Sequence, residues 1–221
     1  DWEHPYITYD RNIEASQLGI FGKMYFNGYI YRGLKPVYWC PDCETALAEA
    51  EIEYKDHESL SLYVKFNVVD SKGLFDEKDT SIVIWTTTPW TLPGNTGITV
   101  GGDFDYSIVD VGNERYIIAS ELVDKVMKIA GIEEYKEVQK FKGKEMEGIL
   151  CKHPFIDRKS RVVIGSETTV NVDIVEGTGA VHTAPAYGKE DYLQGLKDNL
   201  DMVVCVDAKG HQTEGAGEFA G

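Results

Sequence analysis

Three stretches of this sequence group residue types that suit chemistry. The first is Trp85-Thr86-Thr87-Thr88-Pro89-Trp90-Thr91-Leu92-Pro93-Gly94-Asn95-Thr96. Three threonines follow an apolar run, so hydroxyls and backbone N–H groups collect where a strand ends, and two prolines fix the path beyond it. Such a rim suits a carbonyl oxygen, a ribose hydroxyl or a phosphate, with Trp90 as a side wall. A plain strand-to-loop passage built from β-branched residues has the same composition. The second stretch runs from Glu176 to Tyr192 and contains Gly177-Thr178-Gly179-Ala180-Val181-His182-Thr183-Ala184-Pro185. Gly177 and Gly179 permit close backbone approach. His182 falls on a short apolar strand, and Asp191 follows past a Pro and Gly loop, near a helix start. An imidazole and a carboxylate can thus reach one cavity. A core histidine bonded to backbone, and a first-turn acid facing a helix dipole, fit the same spacing.

The third stretch is Cys40-Pro41-Asp42-Cys43. Two thiolates at this spacing form half of a tetrahedral zinc site. Cys151, Cys205, His4, His57, His153 and His211 stand singly, so no metal is expected within this chain alone. A redox pair would need a thioredoxin-like setting that the flanking Pro and Trp residues do not supply. The acidic run from Leu47 to Tyr54 reads as a solvated edge strand or turn.

The elements that must position these residues follow from periodicity. Residues 10–27 have helical spacing, with Asp10 as N-cap, Gly28 as stop, and Ile13, Leu18, Phe21, Met24 and Tyr25 able to share a face. Residues 61–69 alternate and residues 81–86 form a central apolar strand. Residues 106–111 and 114–119 pair around Gly112-Asn113. Ser120 caps a helix to Ala130, with Leu122, Val126 and Ile129 inward and Gly131 at its end. Short strands are expected over 135–141, 161–164, 170–175, 180–183 and 202–206, with a helix over 189–199. The polar, Gly-rich end from Gly210 reads as a mobile edge or a linker. Many short strands with few helices predict an α+β, β-rich domain on a curled or closed mixed sheet.

Composition narrows the function. The 221 residues are 43% apolar and 27% charged, which suits a folded domain with a core. Acidic residues outnumber basic ones 37 to 22, giving a net charge of −15. That surface repels phosphate and is unsuited to gripping a duplex, although a local pocket can still receive one nucleotide end. No apolar run approaches a membrane span and no signal peptide is visible, so a cytoplasmic setting is expected, and the chain reads as a piece of a longer protein. Four cysteines are too few for a disulfide scaffold of this length.

Taken in order, Lys35-Pro36-Val37-Tyr38-Trp39-Cys40-Pro41-Asp42-Cys43, Ala46-Leu47-Ala48-Glu49-Ala50-Glu51-Ile52-Glu53-Tyr54, Thr86-Thr87-Thr88-Pro89-Trp90-Thr91-Leu92-Pro93 and the Gly177–Pro185 stretch resemble the inserted editing domain of the isoleucyl-tRNA synthetases. The resemblance spans nearly the whole chain. Valyl and leucyl enzymes share the Thr-rich and Gly-Thr-Gly stretches, but typically carry Arg where Thr88 stands and lack His where His182 stands. Two departures occur: Gly94 stands where Ala is usual, and Ala186-Tyr187 where Gly-His is frequent. Neither falls on a candidate site residue.

The resemblance implies a closed or curled six-stranded mixed β-barrel with peripheral helices. It divides the chain into a connecting segment with the N-terminal helix and the Cys knuckle (1–45), a barrel core (46–209) and a Gly-rich end (210–221). It also implies hydrolysis of valine mis-esterified to the 3′-terminal adenosine of tRNA(Ile), leaving open whether valyl adenylate is cleaved there too. A pocket sized for isoleucine cannot strongly exclude a side chain one methylene smaller, so a second sieve is needed, and this amino-acid pair is itself the usual worked example of that limit. By resemblance, Asp191 binds the α-ammonium, His182 shapes the side-chain pocket against isoleucine, and Thr86 and Thr87 belong with them to the reacting centre. Thr88, Trp90, Thr91, Asn95, Val181 and Thr183 complete the substrate-binding set. No general base is assigned. Cys40 and Cys43 are half of a zinc site completed elsewhere in the parent enzyme, and editing itself needs no cofactor. The partners implied are the aminoacyl-adenosine end of tRNA(Ile) and the rest of a monomeric synthetase, with no membrane. The alternatives are an inert insertion that only docks the tRNA end, and a metal-binding structural domain.

Overall fold

A computed structural model describes residues 2–221. The chain divides into two units, Asp1–Lys35 and Pro36–Gly221. The first contains α1 (Arg11–Phe26), capped as expected: the Asp10 carboxylate accepts from the Asn12 N–H at 2.8 Å. None of its side chains is buried, and Leu18, Phe21, Met24 and Tyr25 are exposed.

The second unit opens with a small antiparallel pair, β1 (Tyr38–Cys40) and β2 (Thr45–Leu47). Nine further strands make one sheet: β3 (Leu62–Asp70), β4 (Thr80–Thr86), β5 (Gly97–Val100), β6 (Asp105–Asp110), β7 (Arg115–Ala119), β8 (Lys136–Lys142), β9 (Leu150–Lys152), β10 (Lys159–Ile164) and β11 (Ala180–Thr183). The order β11-β5-β10-β9-β3-β4 closes on itself because β11 also pairs with β4, so six strands form a barrel. Pairings β10–β5 and β11–β4 are parallel and the other four antiparallel, so the barrel is mixed. From β4 the sheet extends outward through β7, β6 and β8. The helices α2 (Val123–Ile129) and α3 (Lys189–Asp198) are peripheral.

Sequence explains why β4 is central. Ser-Ile-Val-Ile-Trp is β-branched or aromatic almost throughout, and β4 has neighbours on both edges, so all but Trp85 of its residues are buried. Ile82 and Ile84 have no exposed surface, each contributing about 1.5–3 kcal/mol by burial. With Phe66, Ile98, Ile117 and Val162 they belong to the contiguous core.

Four local expectations change. The turn after β7 is a 3-10 helix, Ser120–Leu122, before α2 begins, and the Ser120 hydroxyl bonds Ser107 instead of capping. The tighter 3-10 turn rotates the helix face, so Val123 and Met127 are buried with Val126 while Ile129 is 56% exposed. Residues 170–175 form no strand, because the Asp173 carboxylate accepts from the N–H groups of Val175 and Glu176 and folds the backbone locally. Residues 202–206 form only one bridge, Val206 to Gln212. Their polar groups pair elsewhere: the Cys205 N–H donates to the Tyr187 hydroxyl, and the Cys205 carbonyl accepts from the Thr213 N–H. The Gly-rich end contains a 3-10 turn, Glu214–Phe219, with Ala216 fully buried and Phe219 edge-on to Phe155.

Candidate active site

Parallel pairing of β4 with β11, through Trp85 opposite Val181, makes both strands run toward the same end of the barrel. The threonine run leaves β4 there, and His182 arrives there from β11. Between them lies a hollow of about 670 Å³, within the usual range for small-molecule sites. Its walls include Thr86, Thr87, Thr88, Trp90, Thr91, Val181, His182 and Asp191. The two stretches separated in sequence therefore meet at one cavity.

His182 is held from both sides. Its Nε2 lies 2.8 Å from the Thr91 hydroxyl and its Nδ1 lies 3.2 Å from the Asn95 amide nitrogen. The Asn95 amide nitrogen can only donate, so Nδ1 accepts and Nε2 carries the proton, which it gives to the Thr91 oxygen. Thr91 in turn donates to the Thr88 carbonyl at 2.8 Å. Asn95 also donates to the Gly97 carbonyl and accepts from the Ser160 hydroxyl, so the chain of bonds closes. Burial, reinforced by the nearby His153, pushes the His182 pKa down to about 4. The imidazole is neutral, and neither nitrogen is free to take a proton from water.

Asp191 sits in the first turn of α3 and curls back. Its Oδ1 accepts from the Ala184 N–H at 2.9 Å. Its Oδ2 lies 2.5 Å from where a Cβ on Gly188 would stand, so only glycine leaves room for this carboxylate. Burial raises its pKa, opposed by the Ala184 N–H. The charged residues on the walls are Glu167, Glu190, Asp191 and Lys189, an acidic excess that favours a cationic group.

Two expected members lie behind the wall. Asn95 is fully buried beneath His182, and Thr183 turns its hydroxyl to Thr99 at 2.6 Å. Neither is among the residues lining the hollow: Asn95 caps the 3-10 turn Pro89–Gly94, and Thr183, on the face of β11 opposite His182, is buried against Thr99. Conversely, residues 167–171, Trp85, Tyr187 and Lys189 line it without having been named as site residues. For the 167–171 loop the sequence gives only a polar cluster, which is the signature of any surface turn.

The family model for tRNA synthetases class I (I, L, M and V) matches residues 1–204. The chain belongs to this family. It is 55% identical to the isoleucine–tRNA ligase of Caldicellulosiruptor bescii and 52% identical to that of Moorella thermoacetica, over its whole length in both cases. It spans 24% and 23% of those relatives. In fold it is similar to the cytosolic leucyl-tRNA synthetase editing domain of P. knowlesi, with a TM-score of 0.52 at 14% identity, covering 62% of each chain. The closed six-stranded mixed barrel that the resemblance implies is present in this chain.

The Cys knuckle belongs to the β1–β2 hairpin, apart from the barrel sheet. The Cys43 N–H donates to the Cys40 sulfur at 3.4 Å, which lowers the Cys40 pKa. Among the described residues no group of three or more His, Cys, Asp or Glu side chains is arranged to hold a metal ion. Two thiolates at this spacing can supply two ligands of a tetrahedral site. No helix is long and apolar enough to cross a membrane among the described residues.

Proposed function

We propose that this chain is the proofreading module of an isoleucine–tRNA ligase, and that the hollow hydrolyses valine esterified to the 3′-terminal adenosine of tRNA(Ile). The observation that carries this reading is the meeting of the hydroxyl rim, His182 and Asp191 around one cavity. Relatedness to isoleucine–tRNA ligases and the editing-domain fold support it.

In this reading Asp191 receives the α-ammonium group, which restores the cation its half-buried carboxylate lacks. The ester then projects toward Thr86, Thr87 and Thr88, whose hydroxyl and backbone groups hold the ribose and the carbonyl. The aminoacyl ester is already labile, so holding water and ester together supplies much of the acceleration. A neutral His182 with both nitrogens engaged works as a wall: it meets the end of the amino-acid side chain and leaves no space for the extra methylene of isoleucine. Water is held by substrate hydroxyls and the threonine rim, with no protein base and no cofactor. Cys40 and Cys43 take no part; their remaining zinc ligands would come from elsewhere in the ligase. The acidic surface leaves the tRNA body to other domains, and this one receives only its end.

The test is deacylation of valyl-tRNA(Ile) and isoleucyl-tRNA(Ile), measured with this chain alone and joined to the rest of the ligase. Selective loss of the valyl ester is expected in the joined form. Tight binding of a valyl-adenosine analogue with no ester loss in either form would instead make the domain an inert dock.

A further inference from the structure

Gly94 and Tyr187 pack closely against each other, and Tyr187 lines the hollow. Gly94 closes the turn Pro89–Gly94 that presents Trp90 and Thr91. Its backbone does not require glycine, for its φ lies outside the left-handed region. Space does: a Cβ there would stand 2.2 Å from Cε2 and 2.9 Å from Cδ2 of Tyr187, and 3.1 Å from the Val203 carbonyl oxygen. The Tyr187 ring fills that volume. Its edge meets Trp90 at 6.0 Å between centroids, its hydroxyl accepts from the Cys205 N–H at 2.6 Å, and its own N–H is bound to the Ala184 carbonyl at 2.9 Å. Ala184 is also the residue whose N–H holds Asp191. One side chain thus touches the turn carrying Thr91, which holds His182, and belongs to the segment carrying Asp191.

We propose that Tyr187 is a positioning residue that sets the separation between the His182 and Asp191 walls, and that Gly94 is its fitted complement. The proposal deepens the proofreading reading and rests on it: the separation of the two walls is what distinguishes a valyl from an isoleucyl side chain. Loosening the brace widens the sieve, and the isoleucyl ester gains more than the valyl ester loses.

A thermal cycle reads the contact independently of activity. Gly94→Ala is expected to lower Tm by about 4 °C or more in the otherwise wild-type chain, and to have little effect when Tyr187→Ala is also present. Additive shifts would show that the ring does not impose glycine at residue 94. Selectivity reads the positioning role. Tyr187→Phe keeps the ring but loses the bond to the Cys205 N–H. It is expected to cut the valyl-to-isoleucyl ratio of kcat/KM about tenfold, changing that ratio more than Tm or valyl kcat. A coupled thermal cycle with an unchanged ratio in every Tyr187 variant would reduce Tyr187 to a structural residue. A wild type that hydrolyses neither ester would remove the proofreading reading and the selectivity role with it, while the thermal cycle would still decide whether the pair is a fitted contact.

Discussion

The two walls of the hollow are built on opposite principles. The His182 wall is saturated: every polar atom of the His182, Thr91 and Asn95 cluster has a partner, and the imidazole and amide are nearly inaccessible. The Asp191 wall is left incomplete. One carboxylate oxygen takes the Ala184 N–H, and no Lys, Arg or His forms an ion pair with it among the described residues. A saturated wall cannot rearrange around a larger guest without leaving buried groups unpaired, so it discriminates by shape. An incomplete wall has charge to offer and gains from a guest that brings the opposite one. On the proofreading reading proposed above, selectivity would belong to the first wall and substrate capture to the second.

Removing the charge of the Asp191 wall should have the largest effect. Asp191→Asn keeps the shape and an oxygen to accept the Ala184 N–H, yet loses the attraction for an ammonium group. Valyl-tRNA(Ile) deacylation is expected to fall about 100- to 1,000-fold, on the order of 3–4 kcal/mol, as for loss of a buried charge-assisted contact. Undiminished turnover would move substrate capture to another residue.

Truncating the other wall should cost less and change a different quantity. His182→Ala opens space beside Val181, and the isoleucyl ester should become a substrate. A one-methylene distinction is worth about 1–3 kcal/mol, so discrimination should fall roughly 10- to 100-fold while valyl turnover changes little. If valyl turnover collapses with selectivity intact, the imidazole takes part in the chemistry and the division between the walls is wrong.

The sequence foretold this site unevenly, for physical reasons. The threonine run and the Gly-Thr-Gly-Ala-Val-His stretch were legible because prolines and glycines bracket short β-branched strands. The barrel was legible in its long strands, β3 and β4, whose alternation and apolar run are local signals. It was not legible in β5 and β9. Gly97–Val100 is buried at every residue and shows no alternation, and Leu150–Lys152 is too short for a period to register. Asn95 entered the site set by resemblance, but only the closed barrel decides that its amide faces the back of His182. The fit of Tyr187 onto Gly94 joins two loops far apart in sequence, and neither loop alone signals the other.

The smallest effect tests whether the saturated wall keeps its imidazole neutral. In the unfolded chain His182 binds a proton as pH falls through about 6.5, whereas in the folded chain it stays neutral down to about 4. Between those values the unfolded state holds more protons, so acidification destabilises the fold, and the contribution is fully present only above the unfolded pKa. By pH 6 the loss is roughly 1 kcal/mol from this residue, and it grows toward pH 4. His153, also buried with a lowered pKa, pulls in the same direction, and Asp191, with a raised one, pulls in the other. Both are present in wild type and in His182→Gln, so their effects cancel in the difference between the two proteins. Urea unfolding at pH 7.5 and pH 6 should therefore show the wild type losing about 1 kcal/mol more than His182→Gln. Equal losses would mean that His182 titrates freely in the folded state, and a wall whose central ring takes up protons at pH 6 would be neither saturated nor fixed in shape.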